Sequence, residues 1–286
     1  MKLFTPVQAE NLPVSISLSD RITVLGSCFA DNIGARLGQA GFRISLNPFG
    51  TLYNPLSIAE AAERMDSGEP FTEADCVEMG AGAGLICSFS HHTSFARADK
   101  AEFLENANLR LTECSNFWKN SNKVIVTLGT AFVWRLRESG RVVSNCLKLP
   151  SATFSREMCS IEEIVSALET LVRRHPEKQF IFTVSPIRHL SDGAHANTLS
   201  KATLQLALDE LVRRNSAQCC YFPAYEILLD ELRDYRFFAE DLVHPSPTAV
   251  EIIWERFRQS CIPSSEHAQM EASEKAYRRS QHRQMH

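Results

Sequence analysis

Five short apolar runs, dense in β-branched and aromatic residues, recur along the chain at 21–27 (RITVLGS), 42–49 (FRISLNPF), 123–129 (KVIVTLG), 179–186 (QFIFTVSP) and 218–223 (QCCYFP). A run that is apolar at consecutive positions has no polar face to offer water, so it reads as a strand buried on both sides, as in a parallel sheet. Helical periodicity fills the intervals. From Ser160 the chain reads SIEE, a capping box of Ser160 with Glu163, and Ile161, Ile164, Val165, Leu168, Leu171 and Val172 then share one helical face. Leu204, Ala207, Leu208, Leu211 and Val212 repeat the pattern, and Ser246-Pro247 supplies a cap and first turn for a helix striped by Val250, Ile253, Trp254 and Phe257. Strands alternating with helices through right-handed crossovers predict an α/β fold, a three-layer α/β/α sandwich around a five-stranded parallel sheet.

With 286 residues, 44% of them hydrophobic, the chain can bury one large core. Residues 1–262 are expected to form a single domain and 263–286 a polar tail, either a loose helix or disordered. The stretch from about 58 to 122 exceeds one crossover helix, so a helical insertion is expected after the second strand. Its MGAGAG segment (79–84) lacks the GxxxxGK[ST] arrangement of a phosphate loop and reads as a flexible turn or lid. A net charge of -4, without a dense Lys/Arg run before Arg278 and Arg279, argues against nucleic acid as a partner. Neither a secretory leader nor a membrane span is apparent, so a cytoplasmic location is expected. The nine cysteines form no CxxC pair, and Cys219 and Cys220 adjoin in an apolar run. They read as reduced, mostly buried thiols, and no metal or cofactor is expected.

In an open parallel sheet, function gathers beyond the carboxyl ends of the strands. There the first run closes on GSCFA (26–30), where Ser27 stands before a helix carrying Ala30, Ile33, Leu37 and Ala40 toward the core. Free N–H groups and the positive end of the helix dipole would stabilise an oxyanion at such a serine. Plain capping accounts for the same residue, because Ser is a preferred N-cap. A second signature, Asp241-Leu242-Val243-His244-Pro245, follows the fifth run. Asp-x-x-His in a turn lets the carboxylate reach one imidazole nitrogen while the other faces a serine across the crevice. A surface turn with an Asx cap is the bland reading, and the two signatures together are much more specific than either alone.

GSCFA, NPFGTLYNP (47–55), TLGTAF (127–132), SPIRH (185–189), SKATL (200–204), YFPAYEI (221–227) and DELRDYRFFAEDLVHP (230–245) together resemble the GSCFA-domain family, which is similar to SGNH (GDSL-like) hydrolases. The likeness runs from about residue 4 to 257. It implies a flavodoxin-like SGNH fold and a catalytic triad of Ser27, His244 and Asp241, with Gly50 joining the Ser27 N–H as oxyanion donors. The Asn that SGNH enzymes place after the third strand is missing; Thr130 or the nearby Asn54 must substitute, or that donor is absent. Leu147, in NCLK, stands where the family pattern carries His, so a substrate contact is expected to be lost.

Arg188 and His189, on the catalytic edge after the fourth strand, are candidates for binding a substrate carboxylate or hydroxyl. Arg188 could instead pair with Asp230, Asp234 or Glu240 and hold the triad loop, the reading favoured here. His91 and His92 are expected on the surface or in a lid. Cys28, next to Ser27, could itself attack, since thiolates form readily at helix N-termini; the expectation is that its side chain turns into the packing. The function expected is a serine esterase acting on a small-molecule or carbohydrate ester, with O-acetyl sugars as candidates. Two alternatives are an acyltransferase using the same acyl-enzyme and an inactive glycan-binding module.

Overall fold

A computed structural model describes residues 5–9 and 12–284. Strands β1 (Arg21–Gly26), β2 (Arg43–Leu46), β3 (Lys123–Leu128), β4 (Gln179–Val184) and β5 (Cys219–Tyr221) form one sheet in the order β5-β4-β3-β1-β2, every pairing parallel. This is the α/β arrangement expected from the runs. Val24 pairs with Leu46 on one side and Ile125 on the other, and Val126 pairs with Phe182. The order reverses between β1 and β3, which makes their carboxyl ends the switch point where an open parallel sheet of this kind places its functional loops.

Consecutive apolar residues serve opposite layers, as the twofold period of a strand requires. Leu25, Val126 and Phe182 pack on the side of α2 (Pro55–Ser67), α3 (Lys100–Lys119), α4 (Ile161–Arg174) and α5 (Gly193–Arg214). Val24, Ile125 and Ile181 pack on the side of α1 (Cys28–Gln39) and α6 (Pro247–Cys261). The expected stripes face these cores: Ile164, Val165, Leu168, Leu171 and Val172 on α4 are buried, as are Val250, Ile253, Trp254 and Phe257 on α6. Side-chain caps begin the helices: Asn54 for α2, Asp99 for α3, Ser160 with its Glu163 box for α4, and Ser246 ahead of Pro247 for α6.

Between α2 and α3 the chain forms an antiparallel pair, Val77–Glu78 with Ile86–Cys87. The glycine-rich turn joining them is anchored: Gly80 N–H donates to the Leu147 carbonyl at 2.9 Å, and a β-carbon at Gly80 would lie 2.2 Å from the Lys148 oxygen. Leu147 is fully buried with φ of 50°, so the NCLK turn is part of the core that holds the glycine segment. A three-stranded antiparallel sheet of Phe132–Leu136, Val142–Val143 and Phe154–Met158, between β3 and α4, was not among the expected elements. Its signal was present in FVWRLRESGRVV, two short runs joined by a turn with Gly140 at φ of 69°. Residues His267–Gln284 form helix α7, whose Met270 is fully buried in the α1–α6 core. Among the described residues no helix is long and apolar enough to cross a membrane.

Candidate active site

Strand β1 ends at Gly26, where φ is 141° and a β-carbon would lie 2.2 Å from the Thr127 carbonyl oxygen. Only glycine lets the ends of β1 and β3 come this close before the chain turns. The turn is tied to the loop after β2: Gly26 N–H donates to Asn47 Oδ1 at 2.8 Å, Leu52 N–H donates to the Gly26 carbonyl at 2.9 Å, and Asn47 Nδ2 donates to Asp31 Oδ1 at 2.7 Å. Asn47, at φ of 39°, is a loop residue in a left-handed conformation, and sequence reasoning did not single it out.

Ser27 is the N-cap of α1, with φ of -70° and ψ of 175°. Its residue is only 2% exposed, its Oγ accepts from the Phe29 N–H at 3.4 Å, and its own N–H donates to the Thr127 carbonyl at 3.1 Å. Cys28 is the first residue of the helix and half-buried. Its N–H is a first-turn donor with no acceptor inside the helix, and it lies close enough to the Cys28 sulfur to favour a thiolate there.

The second signature folds as a tight loop between β5 and α6. Asp241 Oδ1 accepts from the Val243 and His244 N–H groups, both at 2.9 Å, while Oδ2 lies 2.6 Å from His244 Nδ1. The two backbone donors and then the imidazole hold the Asp241 carboxyl down at about 2. Leu242 takes φ of 56° to close the turn, the His244 carbonyl accepts from Ala239 N–H, and Ser246 N–H donates to the Phe237 carbonyl. The Arg188 N–H reaches the Val243 carbonyl at 3.4 Å, which joins the loop after β4 to this one.

His244 Nε2 faces the start of α1, and the atom it meets is Cys28 Sγ, at 3.8 Å. Among the described residues Ser27 Oγ makes no hydrogen bond to His244. Cys28 therefore does not turn into the packing. Ser27 is the more deeply buried of the two, because the N-cap geometry aims its side chain back at the helix amides. Burial, and then the Asp31 carboxylate, push the Cys28 thiol above its ordinary value; the Lys201 ammonium opposes them. Lys201, on α5, is a buried amine whose Nζ donates to the carbonyls of Gly129 at 2.7 Å and Ser185 at 2.8 Å. Burial depresses it to about 7. It sits in the SKATL motif, and a lysine amid that helix's apolar stripe was the signal that could have found it.

The other expected donors are occupied. Gly50 N–H donates to the Asn47 carbonyl at 2.8 Å, and Thr130 N–H donates to the Tyr53 carbonyl at 3.0 Å. Thr130 Oγ1 lies 3.0 Å from Ser200 Oγ. Asn54 caps α2, with Oδ1 accepting from Ser57 N–H at 2.8 Å and Nδ2 donating to Ser57 Oγ at 3.0 Å. Arg188 makes no ion pair among the described residues; its guanidinium lies 5.1 Å over the Phe238 ring. His189 Nδ1 lies 3.0 Å from Ser191 Oγ and 3.4 Å from Asp192 Oδ2, and the ring is partly exposed. His92 packs on Gly50, but His91 is fully buried among Phe49, Phe71, Phe95 and Phe103. Burial lowers it to about 3, so it is a neutral core residue and not the surface or lid histidine expected. No cluster of three or more His, Cys, Asp or Glu that could hold a metal occurs among the described residues.

The family model of GSCFA matches residues 21–257, and the chain belongs to the GSCFA family. No curated protein sequence matches it. Among solved structures it is similar to an alpha/beta hydrolase from the metagenome of Lake Arreo, Spain, with 12% identity over 85% of this chain and 95% of that one and a TM-score of 0.46. A carbohydrate esterase family 2 enzyme with a carbohydrate-binding domain, from Corynascus thermopiles (Myceliophthora fergusii), has 13% identity over 91% and 69% at a TM-score of 0.42. An acetyl xylan esterase from the rumen bacterium Butyrivibrio proteoclasticus has 12% identity over 85% and 64% at a TM-score of 0.39.

Proposed function

We propose that this chain hydrolyses a small acyl ester in the crevice between the Ser27–Cys28 turn and the Asp241–His244 loop, with O-acetyl groups on carbohydrate as the first substrates to try. The observation that carries this reading is the 2.6 Å contact of Asp241 with His244 Nδ1, which leaves Nε2 turned toward the start of α1. An imidazole held in that tautomer takes a proton from an attacking group and returns it to the leaving alcohol, and the carboxylate stabilises the imidazolium between the two steps. The helix N-terminus supplies a fixed positive potential for the oxyanion.

The attacking group belongs to the GSC turn. The sequence favours the Ser27 hydroxyl, which would have to leave its cap and swing toward Nε2 to serve. Gly50, Thr130 and Asn54 would likewise have to release their present partners to donate to an oxyanion.

The test is hydrolysis of a panel of acetylated sugars and model aryl esters by wild type and His244→Ala. Loss of the base is expected to lower kcat/KM by about 10³-fold or more. A wild-type rate no greater than that of buffer across the panel, or an unaffected His244→Ala, would rule the proposal out.

A further inference from the structure

We propose that the attacking group is the Cys28 thiol, making this site a Cys-His-Asp centre in which Ser27 positions the nucleophile and does not itself attack; the inference rests on the ester-hydrolase reading above. One contact carries it, and two features of the surroundings support it. Cys28 Sγ is the group that meets His244 Nε2, at 3.8 Å, whereas Ser27 Oγ is turned back onto the Phe29 N–H. The backbone donors divide the same way: Ser27 N–H is paired with Thr127 across β1 and β3, whereas Cys28 N–H has no acceptor inside α1 and lies beside the Cys28 sulfur. A tetrahedral carbon on Cys28 Sγ would thus have its oxyanion beside the N–H of the same residue, at the positive end of α1. Finally, the buried Lys201 amine, anchored by the Gly129 and Ser185 carbonyls, favours the Cys28 thiolate whenever it carries its proton.

Asp31 and burial act against the thiolate, so Cys28 rests as a thiol and needs a base. That need fits the neighbouring imidazole, oriented by Asp241. His244 Nε2 takes the thiol proton as sulfur forms a bond to the acyl carbon, and the carbonyl electron pair moves onto oxygen. Collapse of this intermediate breaks the carbon–oxygen bond to the alcohol, which leaves with the proton from His244. The product is a Cys28 thioester. Water then attacks the thioester, giving its proton to His244; the acid departs and the proton returns to sulfur. Atoms balance with one ester and one water consumed. Exchange of one thioester for another costs little, so an S-acetyl thioester should load the thiol as readily as an oxygen ester.

Full-length protein is incubated with p-nitrophenyl acetate or an S-acetyl thioester, quenched in acid and mapped by mass spectrometry, with and without neutral hydroxylamine. The expected result is a single acetyl on Cys28, released by hydroxylamine, present in wild type and Ser27→Ala and absent from Cys28→Ala. Turnover by Cys28→Ala should fall by at least about 10²-fold. Cys28→Ser, which keeps the shape of the side chain, controls for folding and should carry no hydroxylamine-labile adduct. A hydroxylamine-resistant acetyl on Ser27, or full turnover by Cys28→Ala, overturns the assignment and leaves the esterase reading standing. Alkylation by iodoacetamide tests the Cys28–His244 pairing without any ester: His244→Ala should change the rate at Cys28 and not at Cys76 or Cys146. Equal change at all three, or none, overturns the pairing even if the chain proves not to be an esterase.

Discussion

Gly26 and Asp241 show how single positions hold the candidate site together. At Gly26 any side chain meets the Thr127 oxygen at 2.2 Å in a backbone region that L residues avoid, so Gly26→Ala is expected to cost about 3 kcal/mol or more, read by urea melts. Asp241 exerts its effect through charge. Its carboxyl is held down at about 2, below the roughly 3.9 of an unfolded aspartate, by the His244 and Val243 amides. A depressed acid contributes stability above its unfolded value and loses that contribution as pH falls through its folded one. Melts of wild type and Asp241→Asn should therefore differ above pH 4 and converge toward pH 2. Within one turn the contest between Ser27 and Cys28 is decided by rotation: the residue before the helix points its oxygen back at the amides, and the residue after it points outward.

Caps govern the elements, and they separate structural from catalytic roles. Asn54 begins α2 by accepting from Ser57 N–H, so Asn54→Ala should destabilise by about 1 kcal/mol and Asn54→Ser should recover most of it. If Asn54→Ser regains stability but remains slow as an esterase, the amide donates to the oxyanion after all. Ser246 has a double position, capping α6 by accepting from Ala249 N–H while its own N–H holds the Phe237 carbonyl of the His244 loop. The Ser246 cap was legible because it is written within four residues, whereas Asn54, read as an oxyanion donor, proves to be the cap of α2. The antiparallel sheet beyond β3 was less legible, since Phe132–Leu136 buries little more than Val133 and interrupts an otherwise regular α/β alternation.

For the molecule as a whole, burial sets which groups respond to the solvent. Lys201 is depressed to about 7, against roughly 10.4 when unfolded, so between those values the unfolded chain binds more protons. The stability of wild type relative to Lys201→Met should therefore rise with pH across that window, measured by urea unfolding of both from pH 7 to 10; a difference that stays flat would show that the amine is not depressed. Burial also divides the cysteines. Cys28, Cys76 and Cys146 are half-buried, while Cys87, Cys114, Cys159, Cys219, Cys220 and Cys261 are buried. Iodoacetamide should label only the first three in the native protein and all nine after denaturation.

What the amino-acid sequence determined alone is what short stretches encode: double-sided apolar strands, capped helices, and an Asp-x-x-His loop whose carboxylate reaches the ring three residues on. Contacts made across the sheet lay beyond it. Which side chain of the GSC turn meets His244, which partner the Ser27 N–H takes, and how His91 comes to lie among four phenylalanines all depend on loops from different strands crossing. The physical reason is that a local pattern specifies the backbone and the face of an element, while hydrogen-bond partners two hundred residues apart are chosen only when the sheet brings them into reach.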